Sequence, residues 1–225
     1  VGRVQFAIGL QSTRLTPTPG AGTLSTDPQG FEGDGCSGSG CNNAANIFRS
    51  TPYSDPTFVN MTLVGSGAVE TQAAGGIGAV IRRGTKGLLH NVIVARWKGT
   101  GITVRDSVTG NILAADSLNL TDIVFAENTR GNYDTTSNFG QSANFTPDNH
   151  RSATTAASII TNLTPTSLDW KPLGIAATGC GTIAIPATRS ANFFGGTMSN
   201  TAYCGAVDPA AGTPWYLGWT SYATN

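Results

Sequence analysis

One segment recurs along the chain and limits what it can fold into. Phe58-Val59-Asn60-Met61-Thr62-Leu63-Val64 is echoed by Leu89-His90-Asn91-Val92-Ile93-Val94-Ala95, then by Leu120-Thr121-Asp122-Ile123-Val124-Phe125-Ala126, so that Asn60, Asn91 and Asp122 stand 31 residues apart. A second pattern, Gly78-Ala79-Val80-Ile81-Arg82-Arg83, returns as Gly101-Ile102-Thr103-Val104-Arg105-Asp106 at an offset of 23. Short β-branched strands opened by Gly or Asn and repeated at this spacing mark a solenoid, in which each repeat buries its apolar face by stacking on the next. Equivalent positions then return one layer away, about 4.8 Å apart. The expected fold is all-β, a parallel β-helix with 58–64, 89–95 and 120–126 in one parallel sheet.

The rest of the chain is read against these copies. Residues 4–10 form a further strand of the first sheet, with Gln5 at the Asn60 position. This predicts an interior row of Phe6, Met61, Val92 and Ile123, with Ile8, Leu63, Val94 and Phe125 beside it. Gly30-Phe31-Glu32-Gly33-Asp34 aligns with the second pattern, so strands near 30–34, 78–83 and 101–105 form a second sheet. Phe31, Ala79, Ile81, Ile102 and Val104 then point inward, while Glu32/Val80/Thr103 and Asp34/Arg82/Arg105 stack outside. Ile93 and Val124 form an outward apolar patch suited to lateral contact or a covering loop. A single domain over 1–225 is expected: regular coils over 1–126 with an irregular excursion at 35–57, a loop-rich part over 127–202, and a cap over 203–225. Ser152 is placed to cap a short helix through Ala153–Leu163. Tyr203, Trp215, Tyr216, Trp219 and Tyr222 supply the cap's aromatic mass, since open solenoid ends need a different closing segment.

Charged residues make up 12%, and 13 Lys+Arg balance 13 Asp+Glu, which argues against nucleic acid or an anionic membrane as the main partner. No apolar run approaches the length of a membrane span. The four cysteines suggest pairs Cys36–Cys41 and Cys180–Cys204 and an oxidising compartment, the alternative being four free buried thiols. Zinc is disfavoured, because neither His90 nor His150 lies at a ligand-like spacing from them.

These pieces resemble the right-handed β-helix domains of large secreted bacterial surface proteins. The segments that carry the likeness are Gly2-Arg3-Val4-Gln5-Phe6, Gly30–Asp34, Ser54–Gly65 and Arg82-Arg83-Gly84-Thr85-Lys86-Gly87. Towards the end, Leu168–Pro172, Tyr203–Asp208 and Trp215–Thr220 look like such a family's closing segment. The resemblance implies a right-handed coil, a location outside the cell and no established activity, so no catalytic residue is carried over. It also implies further coils before Gly2. The first coil is therefore expected to be covered by N-terminal coils of the same polypeptide or by other protein chains.

Chemistry has few footholds. The two histidines accompany no Ser or Cys in a nucleophile motif, and there is no P-loop or dinucleotide fingerprint. β-Helical lyases and glycosidases use Ca²⁺ with a basic residue, or paired carboxylates. The matching ingredients are Asp27, Glu32 and Asp34, a candidate Ca²⁺ site, near Arg82, Arg83 and Arg105, a candidate ligand face. The competing reading, a solvated ladder of outer charges, is preferred. Asn-x-Thr patterns begin at Asn60, Asn119, Asn144 and Asn162, where Asn60 is read as a turn cap. The expected function is a non-enzymatic extracellular structural protein; the alternatives are a polysaccharide-binding or polysaccharide-degrading β-helix and a protein-binding adhesin.

Overall fold

The computed structural model describes residues 2–11, 28–36, 38–39, 41, 48–49, 51–67, 76–134, 149–164, 166–182, 185, 189, 196–218 and 220. The longer repeat becomes three stacked parallel strands, β3 (Thr57–Val64), β5 (Gly87–Ala95) and β7 (Leu118–Ala126), in the expected register. β1 (Arg3–Leu10) adds to β3, and β8 (Arg151–Ala153) adds to β7, giving the order β1-β3-β5-β7-β8. A second parallel sheet stacks β2 (Gln29–Asp34), β4 (Ile77–Arg82) and β6 (Ile102–Val104). Its register also follows the repeat, with Phe31 beside Ala79, Asp34 beside Arg82, and Ala79 beside Ile102.

The two sheets share one core. Met61, Val92 and Ile123, then Leu63, Val94 and Phe125, pack against Ala79, Ile81, Ile102 and Val104. Each large side chain so buried contributes about 1.5–3 kcal/mol relative to exposure. The sheets approach closely where glycine opens each short strand. A Cβ on Gly30 would sit 2.5 Å from the Trp97 ring and 2.6 Å from the Gly78 carbonyl.

The long strands are bent, and the bend explains their sequence. Phe58 and Met61 face the same core although three residues apart, as do Leu89 with Val92 and Leu120 with Ile123. A straight strand would point such pairs to opposite sides. Between them Asn60, Asn91 and Asp122 adopt φ of 55°, 57° and 52°. This left-handed step resets the alternation and turns two consecutive residues outward in every coil. Asn and Asp enter that region at low cost, which is why they recur there.

The same bend corrects the register of β1. Gln5 pairs with Val59 and Ala7 with Met61, which puts Phe6, at φ 62°, beside Asn60. Ala7 and Gly9 therefore take the places of Met61 and Leu63, whereas Phe6 does not hold the Met61 position and Ile8 faces the outer side. The Gln-for-Asn resemblance misleads by one residue, because at this rung the left-handed position is a phenylalanine.

Two further differences concern helices. β6 leads into α1 (Ser107–Ala114), which the repeat gave no reason to expect; Asp106 caps it by accepting from Thr109 N at 2.9 Å. The helix expected over 153–163 is instead the end of β8, a 3₁₀ turn at Ala156–Ser158 and β9 (Ile160–Asn162). Ile159 and Ile160, two adjacent β-branched residues, are both fully buried there.

The outward patch of Ile93 and Val124 is not left open. β9 pairs antiparallel with β10 (Asp169–Pro172), α2 (Gly174–Thr178) follows, and residues 204–216 complete the layer. Ile159, Ile160, Trp170, Ala176, Cys204, Val207 and Tyr216 pack on Val64, Ile93, Ala95, Val124 and Ala126. Ile8 and Ala153 flank this cluster, so it spans the sheet from β1 to β8. The described part of the closing segment thus covers a flank of the sheet, with Tyr216 buried and Trp215 partly exposed. Trp219 and Tyr222 lie outside the described residues. No described helix is long and apolar enough to cross a membrane.

Candidate functional site

The charged ladder expected on the second sheet is present, and Arg82 and Arg83 are engaged by its own carboxylates. Asp34 receives Arg82 Nε and Arg83 Nη1, each at 2.6 Å, and Glu32 lies 3.7 Å from Arg82. These groups are part-exposed, so each pair is worth under about 1 kcal/mol. Arg105 follows one layer on from Arg82, with its backbone N–H on the Ile81 carbonyl at 2.8 Å. Asp27 lies outside the described residues, and no group of three or more His, Cys, Asp or Glu able to hold a metal occurs among the described residues. Beside the ladder is a pocket of about 340 Å³, lined by Cys36, Phe48, Tyr53, Ser54 and Arg83 among others. Lys86 sits 4.4 Å over the Tyr53 ring. The Cys36–Cys41 disulfide, with Cα atoms 5.5 Å apart, closes the turn at its edge.

A denser constellation lies on the outer face of the first sheet, along the left-handed rungs. The side chains of Gln5, Asn60 and Asn91 grip a strap formed by residues 199–207. Gln5 donates to the Ser199 carbonyl at 2.7 Å and accepts from its N–H at 2.9 Å. Asn60 donates to the Tyr203 carbonyl at 3.0 Å and accepts from Gln5 and Thr201. Asn91 donates to the Thr201 carbonyl at 3.1 Å, while its own carbonyl receives Gly205 N–H at 2.9 Å. Thr62 accepts from Ala206 N at 3.0 Å. Asn60 is fully buried here and serves a strap, not a turn cap. Although Gln5 is out of register with Asn60, its longer side chain reaches the same line. The Cys180–Cys204 disulfide, Cα atoms 5.6 Å apart, ties the strap to the end of α2.

At the last rung the amide is replaced by a carboxylate. Asp122, 2% exposed, accepts from Asn149 Nδ2 and from Gly181 N at 2.8 Å, and Arg151 Nη1 is 3.5 Å away. His90 Nδ1 faces its other oxygen at 3.8 Å, beyond hydrogen-bond reach. Neither His90 Nδ1 nor Arg151 Nη1 has a hydrogen-bond partner among the described residues. Burial pushes the His90 imidazole below its ordinary value, against an upward pull from Asp122 and from a backbone hydrogen bond to Thr121. His150 is likewise lowered by burial, opposed by the Leu120 carbonyl and then by Asp122. Its Nδ1 meets the Tyr133 hydroxyl at 2.5 Å and its Nε2 the Leu120 carbonyl at 2.6 Å. The arrangement holds a closing segment in place; with Asp122 and His90 both almost wholly buried, it offers a soluble polymer no access.

Two parallel sheets sharing a core, each written by its own repeat, make this a parallel β-helix protein. Residues 22–170 match the family model described as "Pectate-lyase like beta helix domain", and the chain belongs to that family. Neither the curated proteins nor the solved structures compared with it give a match. The 31-residue spacing and both histidines stand out in the sequence, and no local pattern joins them. The signal was there: the single Asp in an Asn column, with a histidine one position before the equivalent Asn of the neighbouring coil.

Proposed function

We propose that the chain is a non-enzymatic structural protein of the cell surface or extracellular space, acting within a larger assembly. The observation that carries this reading is the pairing within the basic ladder, where Asp34 holds both Arg82 and Arg83 and Glu32 lies beside Arg82. A face that binds or cleaves an acidic polymer needs cationic groups aimed at the ligand. The two disulfides support a location in an oxidising compartment. We assign residues 1–225 to one domain, a closed, right-handed coil, with the described part of the closing segment from 203 onward as a cover along its flank. The half-open edge at β1, where Val4 and Leu10 are 38% and 39% exposed, is where other protein chains or further coils of the same polypeptide would add.

A second reading, a polysaccharide-binding or polysaccharide-degrading protein, draws on the family and on the pocket beside Tyr53 and Arg83. A Ca²⁺ ion at Asp27, Glu32 and Asp34 with Arg82, Arg83 and Arg105 as the ligand face belongs to that reading; a protein-binding adhesin is a third. Incubation with acidic and neutral polysaccharides, with and without Ca²⁺, separates them. No unsaturated or reducing ends should appear; ends that appear and vanish in Arg82→Ala would overturn the structural assignment.

A further inference from the structure

The strap is fastened over a cluster whose charges balance in only one protonation state. Asp122 and Arg151 supply one negative and one positive group, and His90 and His150 stand beside them as neutral imidazoles. β3 presents Val59 and Asn60 towards His90, and β7 presents Thr121 and Asp122. The segment before β8 adds Asn149, His150 and Arg151. From the closing region come Gly181, Thr201 and the disulfide-bonded Cys204, none of them titrating. Asp208, the strap's neighbouring acid, faces Tyr203, whose hydroxyl burial and Asp208 together push up to about 12.

The geometry points to an acid-sensitive lock: protonation of His90 adds a second cation, beside Arg151, at Asp122, the one buried carboxylate among the described residues, and releases the strap from the sheet. The strap is vulnerable here because Gly181 N–H shares an Asp122 oxygen with Arg151, and Cys204 Sγ lies 2.9 Å from the Asp122 backbone carbonyl. An opened strap hydrates His90 and restores its ordinary value near 6.5. Its closed-state value lies below that. The open state therefore binds more protons between the two values, and the closed state weakens as pH falls through that window. At neutral pH the lock is intact.

Hydrogen exchange of the full, disulfide-intact chain, corrected for intrinsic rates, tests this at about pH 8 and about pH 5, either side of the ordinary histidine value. Protection of residues 199–207 should fall about tenfold or more at the lower pH, while β5 and β7 stay protected. His90→Gln should flatten the response. Arg151→Gln should flatten it too, because a protonated His90 then pairs with Asp122 without excess charge; this variant carries the test if His90→Gln fails to fold. Equal protection of the strap at both pH values would overturn the lock. So would an undiminished response in both variants, or loss of β5 and β7 protection together with the strap.

Discussion

The two faces of the β1-β3-β5-β7-β8 sheet are built on opposite plans. The inner face is covered by copies: Met61, Val92 and Ile123 stack on one another, and the second sheet facing them is itself a repeat. The outer face is covered by single-copy residues, among them Ala156, Ile160, Trp170, Ala176, Val207 and Tyr216. Both bury apolar rows completely, with Val94 and Phe125 inside and Ile93 and Val124 outside, all at 0% exposure. The difference is in what each layer depends on. An inner residue is supported from the coil above and the coil below, so its loss spreads through the stack. The outer layer has no such redundancy and relies on a disulfide and on side-chain amides for its position.

That contrast can be broken from either side. Phe125→Ala, which empties a wholly buried ring position between the sheets, should cost about 3–5 kcal/mol in denaturant unfolding and lower the protection of every coil. A loss confined to the strap would contradict the shared inner core. Removing Cys180–Cys204 with paired serines frees a 25-residue loop, counted inclusively from its separation of 24, and should cost about 3 kcal/mol in the chain-entropy model. Here exchange should rise in 199–207 and α2 while β5 keeps its protection; uniform loss would make the outer layer as integral as the inner. Asn91→Ala should cost about 1–3 kcal/mol from unpaired buried partners, plus about 1–2 for the left-handed backbone. Asn91→Gly should recover only the backbone part, and equal costs for both variants would remove the bend from the account. Arg82→Ala, on the part-exposed ladder, should change stability by less than about 1 kcal/mol, so a larger loss in thermal unfolding would mean the ladder is structural.

What the sequence disclosed follows the same division. Wherever residues recur, the register read from them was accurate, because a period shared by Asn60, Asn91 and Asp122 leaves one way to stack. β1 was displaced by one position, since a lone strand offers no second copy to arbitrate and Phe6 hides the left-handed step. The two cysteine pairings were legible from composition and spacing. The flank cover was not. Trp170, Cys204 and Tyr216 meet β5 and β7 across long stretches of chain, and no local pattern announces which distant face an apolar residue will find. The Asp122 site was half visible, as a break in a column, but its partners at 149, 151 and 181 are fixed only by tertiary contact.

The strap also sets a length. It is anchored on β1 through Ser199 and reaches β7 at Cys204, crossing three inter-strand spacings, about 14 Å in all. On the way it doubles back, with Thr201 held by Asn91 of β5, Tyr203 by Asn60 of β3 and Gly205 by Asn91 again. The same few residues therefore clasp neighbouring coils together. An inserted coil between β3 and β5 would part these rungs by about 4.8 Å, beyond the reach of the hydrogen bonds that now share them. Duplication of a 31-residue unit, ordinarily the easiest way for a solenoid to grow, is thus disfavoured there unless the strap is remodelled at the same time.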